Sequence, residues 1–102
     1  MSRVVFHPEA EAEFIAAARF YEAQGSGLGV DFIREVRRAL STIMAYPHLG
    51  HRFSRRSRRF LVRQFPYGLL YRLEPDEIFV VAVAHLRRGP AYWRRIGSGR
   101  PG

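Results

Sequence analysis

Residues 59–85 read RFLVRQFPYGLLYRLEPDEIFVVAVAH, and this stretch decides the fold. It predicts three strands, over 59–65, 67–73 and 78–84, with the proline-containing turn EPDE before the last of them. The last strand is apolar at every position, whereas an antiparallel strand with one face in water alternates apolar and polar residues. We therefore expect strand 78–84 to lie in the centre of the sheet and to be covered, at least partly, on both faces.

The EPDE turn also predicts a register for the last two strands. If Leu73 faces Ile78, then Leu70 faces Val81. Because side chains alternate along a strand, one face then holds His85 together with Phe79, Val81 and Val83, and the other holds Leu69, Tyr71, Val80 and Ala82. One of these faces carries the helices. The sequence leaves open which one, since a slip of one residue exchanges them.

A short strand and two helices precede this hairpin. Residues 3–6 (RVVF) predict the strand, and Pro8 is typical of a helix start because the first turn has no use for the missing N–H. Apolar residues at helical spacing predict one helix from Pro8 to about Ala23 and another from near Gly29 to about Tyr46. The predicted fold class is α+β: an N-terminal strand, an antiparallel helical hairpin, then a three-stranded antiparallel meander, forming one sheet packed on the helices.

Length and composition are those of one globular domain. The 102 residues are 47% hydrophobic and 25% charged, so we expect a single domain over residues 1–96 and a flexible tail over 97–102. The absence of cysteine excludes disulfides and thiolate chemistry. The longest apolar run has seven residues, too few to span a membrane, and the N-terminus lacks the pattern of a secretion signal. We expect a cytoplasmic protein without a cofactor, a bound metal or a membrane partner.

Charge is distributed unevenly along the chain. Residues 1–50 hold five arginines and six acidic residues, whereas residues 51–102 hold twelve arginines and three acidic residues, giving net charges of −1 and +9. All basic residues other than histidine are arginine. A GC-rich genome explains the absence of lysine, but it does not explain the asymmetry. Such a field attracts polyanions or an acidic protein.

Five of the eight residues in the run 52–59 are arginine, and this run is the first candidate binding surface. Arginine binds phosphates and carboxylates through two parallel hydrogen bonds, although a solvated loop has the same composition. A second basic and aromatic segment follows the last strand. Together they give the residues predicted to bind a target or partner: Arg52, Arg55, Arg56, Arg58, Arg59, Arg87, Arg88, Tyr92 and Trp93.

The same C-terminal segment contains residue types used by ribonucleases. Cleavage of RNA by its own 2′-hydroxyl needs a base, a cation beside the phosphorane and an acid for the leaving oxygen. The candidates for these roles are Arg63, His85, Arg87, Arg88 and Tyr92. Alternatively, His85 ends the strand and Tyr92 packs with Trp93 on the sheet. For Glu11 and Glu13 the alternatives are pairing with the basic half or a role as a base, and the favoured interpretation is that they are solvated acids at a helix start.

Taken together, these stretches resemble the RelE/ParE superfamily of toxins from bacterial type II toxin–antitoxin modules. The resemblance covers nearly the whole chain and is carried by PEAEAE at 8–13, GLG at 27–29 with Phe32, RF at 59–60, FPY at 65–67, Tyr71, and H-x-RR-x-P-x-YW at 85–93. It implies a compact antiparallel sheet on a helical hairpin. It also implies a cognate antitoxin that wraps the toxin, and acidic segments of such a protein suit the +9 half.

The superfamily divides by target. Its RelE-like members are ribosome-dependent messenger RNA endonucleases, whereas ParE-like members poison DNA gyrase. The FPY and H-x-RR-x-P-x-YW patterns are closer to the ParE-like and plasmid-stabilisation branch, and the lysines common in the nucleases are absent. The resemblance therefore favours a gyrase-directed, growth-inhibiting toxin. The alternatives are a ribosome-dependent endoribonuclease, which would be the only enzyme among these functions, and a non-toxic basic module that binds nucleic acid or protein.

Overall fold

The computed structural model describes residues 3–99. In chain order the elements are β1 (Arg3–Phe6), α1 (Pro8–Gln24), α2 (Leu28–Ala45), β2 (His51–Arg52), β3 (Ser57–Leu61), β4 (Tyr67–Leu73), β5 (Glu77–His85) and α3 (Pro90–Gly99). The five strands form one sheet in the order β1-β5-β4-β3-β2. β1 runs parallel to β5, and the other neighbours are antiparallel. The α+β prediction is confirmed, including the helical hairpin and the meander of β3, β4 and β5. The sheet as a whole is mixed rather than antiparallel as the resemblance implied, because β1 runs parallel to β5.

Both helices of the α1–α2 hairpin have hydrogen-bond acceptors for the N–H groups of their first turns. His7 caps α1, because its Nδ1 accepts the N–H of Glu9 at 3.0 Å, and Pro8 occupies the first turn as expected. Gly27 has a φ of +91°, a left-handed conformation that favours glycine. The Glu22 carboxylate accepts the N–H groups of Gly27 and Gly29. This acid therefore satisfies backbone donors at the start of α2.

The helical hairpin covers the face of the sheet that carries Leu69, Tyr71, Val80 and Val83. The rings of Phe14, Tyr21, Phe32 and Phe65 join this core, and Phe32 is fully buried. α3 covers the opposite face, where Trp93 and Ile96 pack with Leu70, Phe79 and Val81. All residues from Ile78 to Ala84 are buried, which confirms the central position predicted for this strand.

The predicted register of β4 and β5 is correct only near the turn. Leu73 faces Ile78 and Tyr71 faces Val80, but Leu70 faces Ala82 rather than Val81. Val81 is the extra residue of a β-bulge, and from there the alternation of side chains changes phase. Val83 and His85 consequently lie on the helical face, whereas Phe79, Val81 and Ala82 belong to the α3 face. The prediction that His85 lies on the same face as Phe79 and Val81 was therefore wrong.

The other differences concern the ends of elements and two short elements that were not predicted. β3 ends at Leu61 and not at residue 65, because the chain turns at Gln64, whose φ is +69°. The short β2 and the helix α3 lie in stretches for which no regular structure was predicted. α3 extends to Gly99, so residues 97–99 of the expected tail are helical, and residues 100–102 lie outside the described part. The limits of the domain and the flexibility of the tail stay predictions.

Candidate functional site

The first candidate site is built around Glu13 on α1. β1 ends at Phe6, opposite Val80, so the β1 ladder does not extend to Val83. Glu13 reaches this edge, and its Oε1 accepts the N–H of Val83 at 2.9 Å. A carboxylate thus takes the place of a strand carbonyl next to the bulge. The predicted solvated role of Glu13 was therefore wrong.

Tyr92 completes this arrangement from α3. Its hydroxyl donates to Oε2 of Glu13 at 3.0 Å, and the Arg88 guanidinium carbon lies 4.0 Å from the centre of its ring. Burial of the ring and the adjacent Glu13 carboxylate raise the pKa of Tyr92 above its ordinary value. The phenol is therefore held in its protonated form as a donor to Glu13, and α1, β5 and α3 are joined through one carboxylate.

His85 is held by neighbours at the end of β5. Its ring contacts the ring of Tyr67, with centroids 5.3 Å apart, and its Nδ1 accepts the N–H of Arg87 at 3.0 Å. Its carbonyl accepts the N–H of Arg88 at 3.1 Å. These contacts close the turn between β5 and α3, as the alternative structural interpretation of His85 predicts.

A shallow groove of about 320 Å³ lies between α1, the end of β5 and the start of α3; we call it the His85 groove. Its lining includes Glu13, Phe20, Tyr67, His85, Arg88 and Tyr92. Arg63 lines a different hollow, together with Glu35 and Arg38 of α2. The structure thus brings His85, Arg88 and Tyr92 together, places Arg87 beside them as a backbone donor, and leaves Arg63 elsewhere.

Trp93 is a core residue of the α3 face rather than an exposed binding residue. It is 1% exposed, and its Nε1 donates to the carbonyl of Arg88 at 3.0 Å. The Arg59 guanidinium carbon lies 5.0 Å from the Trp93 ring and 5.2 Å from the ring of Phe53. These cation–π contacts use Arg59 to pack β3 against α3.

The remaining arginines of the basic run surround the β2–β3 hairpin. Arg58 donates from Nη1 to the carbonyls of His48 and Gly50, each at 3.0 Å, and so fastens the segment after α2. Arg52, Arg55 and Arg56 are exposed. These four arginines line a hollow of about 460 Å³, the arginine hollow, whose other lining residues are His48, Ser54, Ser57, Tyr71, Leu73, Glu74 and Pro75.

Glu13 is the site residue that sequence reasoning missed, although the sequence holds a signal for it. It lies three residues after Ala10 and four before Ala17, and both alanines are buried. Residues at these spacings share one face of a helix, so Glu13 borders the apolar face of α1. An acid at that position needs a hydrogen-bond donor from the sheet.

Neither a metal site nor a membrane span is found in the described part of the chain. Among residues 3–99, no group of three or more histidine or acidic side chains is placed to hold a metal ion. No helix within the same residues is long and apolar enough to cross a membrane.

Comparison with known proteins identifies the family. A family model described as ParE toxin of the type II toxin–antitoxin system, parDE, matches residues 4–90. A search of curated protein sequences finds no significant match. A solved structure of the chromosomal ParDE TA system from P. aeruginosa contains a chain of similar fold, with a TM-score of 0.72 and 16% identity. That match covers 83% of this chain and 96% of the other. With 87 of its residues matched to the family, the chain belongs to the ParE toxin family of type II toxin–antitoxin systems.

Proposed function

We propose that this protein inhibits growth by poisoning DNA gyrase and that a cognate antitoxin neutralises it. The hydrogen bond from Tyr92 to Glu13 carries the choice of gyrase over messenger RNA, because it uses the hydroxyl that a nuclease would need. The protein acts in the cytoplasm and, where a plasmid encodes it, contributes to plasmid stabilisation. Membership of the ParE toxin family supports this proposal.

Three features of the His85 groove argue against RNA cleavage. A scissile phosphate placed beside Tyr92 would approach the Glu13 carboxylate, and like charges repel in a partly buried site. The Arg88 guanidinium lies over the Tyr92 ring, with its carbon 4.0 Å from the ring centre. Arg63 lines a separate hollow. These observations support a role of the groove in folding, because the Tyr92 hydroxyl and the Arg88 guanidinium are already engaged with neighbouring side chains.

Inhibition of supercoiling tests the gyrase proposal. Purified toxin is added to gyrase, ATP and relaxed plasmid, and the fraction of supercoiled product is measured by gel electrophoresis. We expect loss of supercoiling at micromolar toxin, and no loss with toxin denatured beforehand. Normal supercoiling at concentrations that stop growth would contradict the proposal. Translation-coupled cleavage of messages in the same cells would then favour the endonuclease.

Charge supports the proposed antitoxin partner. The half of the chain from residue 51 onward carries +9, and the described ion pairs involve Arg3, Arg34 and Arg38, all from the other half. An acidic partner would pair with the exposed Arg52, Arg55 and Arg56 of that half and would bind quickly through the long-range field. Co-expression with a small acidic protein encoded next to the toxin gene should restore growth, and the two proteins should co-purify. Loss of the basic surface should weaken that complex.

A further inference from the structure

The arginine hollow is a concave surface between the β2–β3 hairpin and the turn that joins β4 to β5. Arg52, Arg55, Arg56 and Arg58 enter its lining from the hairpin, and Glu74 and Pro75 lie at the other side. Its volume of about 460 Å³ is within the range of small-ligand and side-chain sites. Four guanidinium groups thus share one hollow with a single carboxylate.

Two of these arginines are held in place by the backbone. Arg58 donates to the carbonyls of His48 and Gly50, and Arg52 donates from Nη2 to the carbonyl of Arg55 at 3.3 Å. Because carbonyls do not neutralise a cation, both side chains keep their full charge. A fixed cation loses less conformational entropy when it binds an anion.

The other two arginines are available to a partner. Arg55 and Arg56 lie exposed near the tip of the hairpin, and the tip itself is shaped by Ser54, whose hydroxyl accepts the N–H groups of Arg56 and Ser57. Within residues 3–99, neither guanidinium is paired with an acidic side chain. The hollow therefore offers both fixed and adaptable guanidinium groups.

We propose that the arginine hollow binds at least two carboxylates of an acidic peptide segment, of the kind an antitoxin supplies. This inference rests on the proposed function, because the antitoxin of that proposal is the source of the acidic segment. A peptide fits better than a nucleic acid because the hollow exposes no Phe, Tyr or Trp ring on which a base could stack: Tyr71 is fully buried, and the exposed aromatic side chain of the lining is the smaller imidazole of His48. The Tyr71 hydroxyl is also engaged, donating to the carbonyl of Pro47 at 2.8 Å and accepting the N–H of Gly50. Leu73 and Pro75 provide apolar contacts for residues between the carboxylates.

Fluorescence anisotropy with a defined peptide tests the inference. The probe is a fluorescein-labelled peptide in which glutamate alternates with serine and leucine, and the control peptide has glutamine in place of every glutamate. The protein variants are Arg55→Ala/Arg56→Ala and the matched double variant Arg19→Ala/Arg37→Ala. The matched variant removes the same charge from exposed positions on the helices. All proteins are first compared by circular dichroism and thermal unfolding.

We expect the hairpin variant to bind the acidic peptide about tenfold or more weakly than the wild type. The loss of a single charge-assisted hydrogen bond is enough to weaken binding by that factor. The helix variant should lose about twofold or less, and the glutamine peptide should not bind. No binding by the wild type, or equal losses in both variants, would overturn the inference. The inference would also be overturned if a single-stranded RNA of equal charge bound the wild type more tightly than the acidic peptide does, and if the hairpin variant no longer bound that RNA. Because supercoiling is measured in a separate experiment, the peptide-binding result can be interpreted even when the gyrase proposal fails.

Discussion

The His85 groove and the arginine hollow contain similar residue types but use them differently. In the groove, the Tyr92 hydroxyl, the His85 Nδ1 and the Arg88 guanidinium are all engaged with neighbouring residues. In the hollow, Arg55 and Arg56 are exposed and have no acidic partner among residues 3–99. We infer from this difference that residues suited to catalysis serve folding in the groove, where their polar atoms satisfy each other. We propose that the hollow, by contrast, binds a partner.

Among the variants that test this comparison, Trp93→Ala is expected to have the largest effect on stability. Trp93 is 1% exposed and fills the core between β5 and α3, so its removal should lower the free energy of unfolding by about 3–5 kcal/mol. Urea denaturation followed by circular dichroism measures the change. Tyr46→Ala is the matched control, because that ring is 66% exposed and its loss should cost about 0.5 kcal/mol or less. Equal effects would mean that α3 does not pack on the sheet as described.

Arg58→Ala should separate the fixed arginines from the available ones. It removes two hydrogen bonds from a guanidinium to carbonyls, so we expect a loss of about 2 kcal/mol in stability. Arg55→Ala, with no such bonds, should change stability by about 0.5 kcal/mol or less. Thermal unfolding of both variants provides the comparison. If Arg58→Ala were as stable as Arg55→Ala, the anchoring role of Arg58 would be wrong.

Glu13→Ala should cost somewhat less, about 1–2 kcal/mol, because it leaves the N–H of Val83 without its carboxylate acceptor. Glu11→Ala is the control, since Glu11 is exposed on the same helix. Amide hydrogen exchange gives the more specific readout: protection of the Val83 amide should fall in the first variant only. Unchanged protection would show that Glu13 does not hold the edge of β5.

Most of the fold could be predicted from periodicity, and the exceptions have local causes. The change from helical spacing to apolar runs separates α1 and α2 from β4 and β5. The bulge at Val81 could not be predicted, because a strand that is apolar at every position gives no alternation from which a change of phase is visible. α3 was missed because its ten residues include a proline, a serine and two glycines, which are typical of turns and loops. Its apolar side consists of the buried Trp93 and Ile96, with Tyr92 partly buried beside them.

The candidate sites could be predicted only as sets of residues. The sequence shows that five arginines lie within 52–59, but it does not show that Arg58 binds backbone carbonyls or that Arg59 stacks on Trp93. Those roles depend on contacts between residues far apart in the chain. Glu13 and Tyr92, which lie 79 residues apart, were interpreted separately for the same reason.

Growth of cells expressing Tyr92→Phe tests the central claim most directly. This variant keeps the ring beneath Arg88 and removes only the hydroxyl, so stability should fall by about 1 kcal/mol, which thermal unfolding verifies. If the groove serves folding and the target is gyrase, the variant should inhibit growth as strongly as the wild type while messages stay intact. Restored growth with a folded protein, together with message cleavage by the wild type alone, would contradict the account.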